Sequence, residues 1–167
     1  MKPKGKPPAE SAVTMTEIVL PQHTNALGTI FGGTVMSWID IAGAICAGKH
    51  ARTTVVTASI DALHFVAPIK LGHFVELKAS VNATGTTSME VGVRVDSEDP
   101  KTGERYHSVS AYLTFVALDG NGKAIPVPPV EPATPAEKRR NLAANMRRKS
   151  RIELANQIKK EEASAKT

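Results

Sequence analysis

Asp40 is the only Asp, Glu, Lys or Arg between Glu17 and Lys49. Its neighbours run Thr34-Val35-Met36-Ser37-Trp38-Ile39 before it and Ile41-Ala42-Gly43-Ala44-Ile45-Cys46 after it. A charge among apolar neighbours loses hydration, and that is costly unless it is paired or water reaches it. A sequence that only had to fold would place an apolar residue there, so Asp40 reads as a working acid. Upstream stand two further groups with chemical use: Asn25 in the uncharged stretch after Pro21, and the pair Gly32-Gly33 just before the apolar run.

A helix beginning near Gly32-Gly33 presents backbone N–H groups without intrahelical partners, and the positive end of its dipole. Glycine lets a ligand approach that backbone closely. Such an end can hold a phosphate, or the oxyanion that forms when a carbonyl is attacked. Gly28-x-x-x-Gly32-Gly33 is not followed by Lys-Ser/Thr, so it is no phosphate loop, and it is not the Gly-x-Gly-x-x-Gly of dinucleotide folds. Acyl chemistry fits better, given the apolar setting and the carboxylate.

The elements that must position these groups follow from periodicity. Val13–Leu20 is β-branched and predicts a strand, Pro21–Phe31 a loop, and Gly33–Lys49 a helix apolar nearly all round and hence buried. Four strands are expected after it, over 53–62, 74–82, 88–96 and 108–118. In the second and third of these, apolar residues alternate with polar ones, the period of a sheet with one buried and one wet face. Short links favour antiparallel neighbours. A sheet that curls around the helix would bury most of it, and a second copy of the chain is the simplest cover for what remains.

At 167 residues the chain is one domain with extensions: a disordered leader over 1–11, a main domain over 12–130 and a basic helical tail over 131–167. From Ala133 onward ten Lys/Arg oppose four Asp/Glu, a net +6 that leaves −1 for everything before it. Basicity therefore belongs to the tail and does not mark the main domain as a nucleic-acid binder. The tail's apolar stripe, Leu142 with Met146 and Leu154 with Ile158, is weak, as in a solvated or partner-packed helix. The single Cys46 excludes an internal disulfide, and no Cys/His metal spacing occurs. No signal-peptide pattern or membrane span is expected, which points to a reducing, cytoplasmic setting.

Thr24-Asn25-x-x-Gly28-x-Ile30-Phe31-Gly32-Gly33, followed by Ser37-x-x-Asp40-x-Ala42-Gly43-Ala44, resembles the hotdog-fold acyl-CoA thioesterases, in the branch of the YciA-like enzymes and the brain acyl-CoA hydrolase. Val55-Val56-Thr57, Phe65-Val66-x-Pro68-Ile69, Gly85-Thr86-Thr87-Ser88 and Phe115-Val116-Ala117 extend the resemblance over roughly 13–126. It implies an α+β hotdog fold, a curved antiparallel sheet wrapped around a long central helix, and hydrolysis of acyl-CoA to free CoA and an acid. Asp40 matches the family's carboxylate, as general base or nucleophile, and Asn25 the loop residue that orients water or thioester. Gly32 and Gly33 match the donors that polarise the carbonyl. Thr57 and Gly85, Thr86, Thr87 and Ser88 fall where substrate is contacted. No metal and no cofactor beyond the substrate's own CoA is implied, and the implied assembly is a homodimer, as a trimer of dimers.

Geometry adds an expectation of its own. Eight residues of helix separate Gly32 from Asp40, about 12 Å at ~1.5 Å per residue. One carbonyl cannot touch both, so composite sites are expected, with the helix start from one subunit and Asp40 from its partner. Plainer roles compete: Asp40 as a buried structural acid, Asn25 as a turn residue, the glycines as packing, Gly85–Ser88 as a bare hairpin. His64 and Cys46 read as core or interface packing. The rival functions are a non-catalytic acyl-CoA-binding or sensing module and, through His23, a hydroxyacyl dehydratase.

Overall fold

The polypeptide order is strand, helix, five strands, helix, and alternating burial along the strands decides what faces what. The structure, a computed structural model, describes residues 3–61 and 63–164. The elements are β1 (Val13–Ile18), α1 (Gly32–Ala51), β2 (Thr54–Ile60), β3 (His64–Phe65), β4 (Phe74–Thr84), β5 (Ser88–Glu98), β6 (Arg105–Leu118) and α2 (Pro135–Ser164). All pairings between strands are antiparallel, in the order β1-β4-β5-β6-β2, with β3 also on β6. β2 and β3 lie end to end along one edge of β6. Between them the Asp61 N–H donates to the Tyr112 carbonyl at 2.9 Å. The expected first strand after the helix reached 62; β2 stops at Ile60, and Ala62 lies outside the described residues.

Val75, Leu77, Val81, Met89, Val91, Val95, Leu113 and Phe115 point inward and are fully buried against Val35, Ile39, Ala42, Cys46 and Ala47 of α1. Ladder shifts between Thr57 and Ser59, Val81 and Ala83, and Val95 and Asp96 mark bulges, which bend a sheet. The sheet thus curls around α1 as expected. α1 runs through Gly48 to Ala51 and ends on Arg52 in a left-handed conformation, φ 55°, whose N–H caps the Gly48 carbonyl. Only one side of α1 is covered within the chain: Met36, Ile41 and Ile45 are all more than two-fifths exposed.

Two expectations need correction. The leader is not disordered where it is described. Lys6 pairs with Val130 and reaches the His50 carbonyl at 2.8 Å through Nζ, Pro8–Glu10 forms a 3₁₀ turn, and Ser11 is fully buried. Met1 and Lys2 lie outside the described residues. Hydrogen bonds and proline geometry hold this segment, which a composition rule based on apolar content overlooks. The polar side of the sheet is also not uniformly wet. Asn82 and Glu90 are 4% and 6% exposed, because α2 lies across them.

α2 docks mainly through polar groups. Asn141 Nδ2 donates to the Asn82 carbonyl at 2.8 Å. Arg147 forks onto Glu90, Nη2 to Oε1 at 2.6 Å and Nε to Oε2 at 3.2 Å, while its guanidinium sits 3.6 Å above the Tyr112 ring. Arg151 Nη1 lies 2.8 Å from both carboxylate oxygens of Asp61. Leu142, Met146, Ile152, Leu154 and Ile158 stay exposed.

Candidate active site

Asp40 sits in the third turn of α1, half-buried, on the flank that meets β2. Thr57 is the β2 residue opposite inward-facing Phe115, so its side chain turns toward α1. Its Oγ1 donates to Asp40 Oδ1 at 2.6 Å, a short charge-assisted bond that fixes one carboxylate oxygen and leaves Oδ2 for other work. Thr57 was expected to bind substrate; within one chain the hydrogen of its hydroxyl goes to the carboxylate. The ladder shift that follows Thr57 sets the local direction of the strand.

The loop before α1 is organised by Asn25. Its Oδ1 accepts the N–H groups of Leu27 at 2.9 Å and Thr29 at 3.3 Å, and its Nδ2 donates to Thr29 Oγ1 at 3.0 Å. Asx-type bonding of this kind closes turns, and Gly28 supplies the positive φ, 72°, that this one requires. The Ile30 N–H donates to the Ile69 carbonyl and the Phe31 N–H to the His23 carbonyl, which delivers the chain to the helix start. His23 is held in place as well: its ring meets Trp38 edge-on at 5.1 Å, and Nδ1 accepts the Leu20 N–H at 3.2 Å.

Gly32 and Gly33 open α1, so their N–H groups point out of the helix with no acceptor four residues back. The surface there is apolar. Phe65 lies 3.5 Å from where a Cβ on Gly32 would stand, and a Cβ on Gly33 would come within 2.4 Å of the Phe31 ring. A cleft of about 300 Å³ runs beside it, lined by Thr29, Ile30 and Phe65–Ile69. A donor pair at the end of a helix dipole, flanked by aromatic rings, suits an apolar ester that develops negative charge.

These parts do not all meet within one chain. Asn25, Gly32 and Gly33 share the entry to α1, while Asp40 and Thr57 form a pair two turns further along. Gly85–Ser88 forms the β4–β5 hairpin turn, closed by Gly85 N–H to Ser88 carbonyl at 2.7 Å. Met89, Phe115 and Thr57 face one another across β5, β6 and β2. The turn is therefore roughly 10 Å from Thr57, two strand spacings. Arg148 covers it, its guanidinium within 3.0 Å of a Cβ placed on Gly85. His64 is exposed on edge strand β3, which removes core packing within one chain and leaves the interface half of that expectation. Cys46 is fully buried, and burial pushes its thiol up to about 11.

Among the described residues, no group of three or more His, Cys, Asp or Glu is placed to hold a metal ion, and no helix is long and apolar enough to cross a membrane. The polar contacts of Arg147 and Arg151 with this sheet went unforeseen. Nothing local in the sequence marks Glu90 or Asp61 as their partners.

Residues 27–104 match the family profile of the thioesterase superfamily. The sequence is 48% identical, over 77% of this chain and 74% of the relative, to the uncharacterised acyl-CoA thioester hydrolase YkhA of Bacillus subtilis (strain 168). A crystal structure of an apo-hexameric acyl-CoA thioesterase is similar with a TM-score of 0.88 and 47% identity, over 91% of this chain and 97% of that one. An acyl-CoA hydrolase from Staphylococcus aureus, solved with butyryl coenzyme A, coenzyme A and coenzyme A disulfide, gives a TM-score of 0.85 and 41% identity, over 95% and 98%. Structures of that enzyme with one Asn, one Asp or one Thr changed to Ala are similar as well. The three positions lie 15 and 17 residues apart. The same intervals separate Asn25, Asp40 and Thr57 here.

Proposed function

The chain belongs to the thioesterase superfamily, among its hotdog-fold acyl-CoA hydrolases, and from that membership we propose that it cleaves an acyl-CoA thioester at Asp40. The products are free CoA and a carboxylic acid. The observation that carries the assignment is the 2.6 Å bond from Thr57 to Asp40. It holds one oxygen of a lone carboxylate and leaves the other open toward a reactant.

As general base, Asp40 takes a proton from water as the water oxygen bonds to the thioester carbon. Negative charge collects on the carbonyl oxygen, where the N–H groups of Gly32 and Gly33 stabilise it. The C–S bond then breaks, and the proton held by Asp40 passes to the departing thiolate. In the nucleophilic variant Oδ2 itself attacks and water releases the acid afterwards. Asn25 orients water or thioester with the hydrogen of Nδ2 that Thr29 does not use. Thr86, Thr87 and Ser88 supply hydroxyls for the CoA portion. The chemistry calls for no metal and no organic cofactor.

A second copy completes the site. Gly32 and Asp40 are about 12 Å apart along α1. Met36, Ile41 and Ile45 along the uncovered side of α1, with Ile60 on edge strand β2, leave apolar surface that a second copy can cover. The working unit is a homodimer that pairs the helix start of one protomer with Asp40 of its partner. A trimer of such dimers accords with the hexamers named among the relatives. The setting we propose is cytoplasmic, with no nucleic-acid partner, and Arg147 and Arg151 of the basic tail are engaged with this chain's own sheet.

The test is thiol release from acyl-CoAs of two to sixteen carbons by wild type and D40N, with binding of CoA followed alongside. Turnover that collapses in D40N while CoA still binds is the expected result. Tight binding with no turnover in either protein would overturn hydrolysis in favour of an acyl-CoA sensor.

A further inference from the structure

We propose that α2 braces the strand that carries Thr57, and that Arg151 and Asp61 are positioning residues for the hydrolysis. The proposal rests on Asp40 and Thr57 as the working pair and adds what aims them.

Among the described residues β2 has β6 on one side and no strand on the other. Its ladder slips immediately after Thr57, where Ala58 is passed over and Ser59 pairs with Thr114. A bulge loosens a ladder and re-aims neighbouring side chains. The direction of Thr57 Oγ1 therefore depends on what anchors the strand beyond the bulge. Two ladder pairs follow the bulge, Ser59 with Thr114 and Ile60 with Leu113, and Asp61 closes the strand after them. Its N–H is bonded to Tyr112, and both its carboxylate oxygens are 2.8 Å from Arg151 Nη1. One helical turn earlier, Arg147 stacks on the same Tyr112 and forks onto buried Glu90. Tyr112 is thus fixed from above by α2 while its carbonyl holds β2. Past Arg151 every described residue of α2 is exposed, so the covered part of the helix ends at this pair.

A partly exposed ion pair ordinarily contributes about 0–1 kcal/mol to stability, so a merely structural role would leave turnover alone. Positioning is felt differently, because a misplacement of ~1 Å can cost on the order of 100-fold in rate. Full-length R151A, D61A, the double variant D61A/R151A and the conservative R151K are compared with wild type and D40N on butyryl-CoA. Each single alanine variant is expected to lower kcat about tenfold with KM within about twofold and a nearly unchanged melting point. The double variant should be no worse than either single one, and R151K should recover part of the loss. If R151A loses its fold, R151Q, which keeps the stem packed, gives the same comparison.

A wild-type kcat in R151A and R151Q, with D40N inactive, overturns the brace and leaves the active-site assignment intact. A kcat loss that merely tracks a lowered melting point across the series also overturns it. Full activity in D40N removes the assignment itself, and the brace with it.

Discussion

Thr57 reaches across from the edge strand to give its hydroxyl hydrogen to Asp40 at 2.6 Å, joining two residues 17 positions apart. The bond restrains the carboxylate without neutralising it. Removing the hydroxyl should therefore lower turnover and leave CoA binding nearly unchanged. T57A and T57V are expected to lose about ten- to a hundredfold in kcat, the scale of a misplaced catalytic group, and T57S to stay within a few-fold of wild type. Steady-state kinetics on one short acyl-CoA checks this. A T57V enzyme with wild-type kcat would assign the hydroxyl no part in catalysis.

At the far end of α1, His50 is fully buried. Its Nε2 lies 2.9 Å from the Pro128 carbonyl and its Nδ1 3.3 Å from Ser11 Oγ. Burial lowers its pKa, the carbonyl bond opposes that, Lys6 adds to the lowering and Glu10 counters it. The folded state thus resists a proton that the unfolded chain accepts near pH 6.5. Where the unfolded state binds more protons, stability rises with pH. Stability should accordingly fall as pH drops through about 6.5, by roughly 1.4 kcal/mol per pH unit at the steepest. Urea melts between pH 7.5 and 5.5 should show this slope in wild type and a shallower one in H50Q. Equal slopes would remove His50 as the cause.

Cys46 lies one turn earlier in the same buried cluster, with its thiol pushed up to about 11. The thiolate is the reactive form, and burial both disfavours it and shuts off the approach of a reagent in the folded protein. A disulfide reagent at pH 8 should leave the native thiol unmodified and label it fully in urea. Rapid labelling of the native protein would show that this end of α1 opens readily.

How legible each part was follows from how local its signal is. The apolar run of α1 and the alternation in β4 and β5 are written in neighbouring residues, and all three elements formed where their periods put them. Asp40 was conspicuous for the same reason, one charge in an uncharged stretch. Asn25 was equally visible, yet its bonds to Leu27 and Thr29 are also what a turn requires. Glu90 looked like an ordinary wet-face residue and Asp61 carried no local signal, because the arginines that claim them stand 57 and 90 positions later. Periodicity carries no information about partners at that range. The leader was misread because its hold on the domain is polar, through Lys6 and Ser11, and composition measures apolar content.

Glu90 gives the docking of α2 a measurable size. It is 6% exposed, accepts from Asn82 at 3.2 Å and takes both bonds of Arg147. Truncating it strands a guanidinium that is three-quarters buried and an amide that is almost wholly so. E90A should cost about 3 kcal/mol in urea unfolding, the scale of breaking a buried pair from one side. The double variant E90A/R147A should be less destabilised than E90A alone. A cost below about 0.5 kcal/mol for E90A would mean that α2 rests on the sheet with little energy.

A composite site is a statement about chains, so mixing chains tests it. D40A damages only the carboxylate half. G33V damages the other half, because a side chain at Gly33 would run into the Phe31 ring, 2.4 Å from the first added carbon. Each variant alone should be nearly inactive. After the two are co-unfolded and refolded, half of the dimers pair unlike chains. Each of those contains one intact site and one site damaged twice, so about a quarter of wild-type activity should return. Thiol release measured before and after exchange reads this directly. If both halves came from the same chain, every site would carry one defect in any pairing and no activity would reappear. Recovery well above the parents separates the two arrangements without a structure of the dimer.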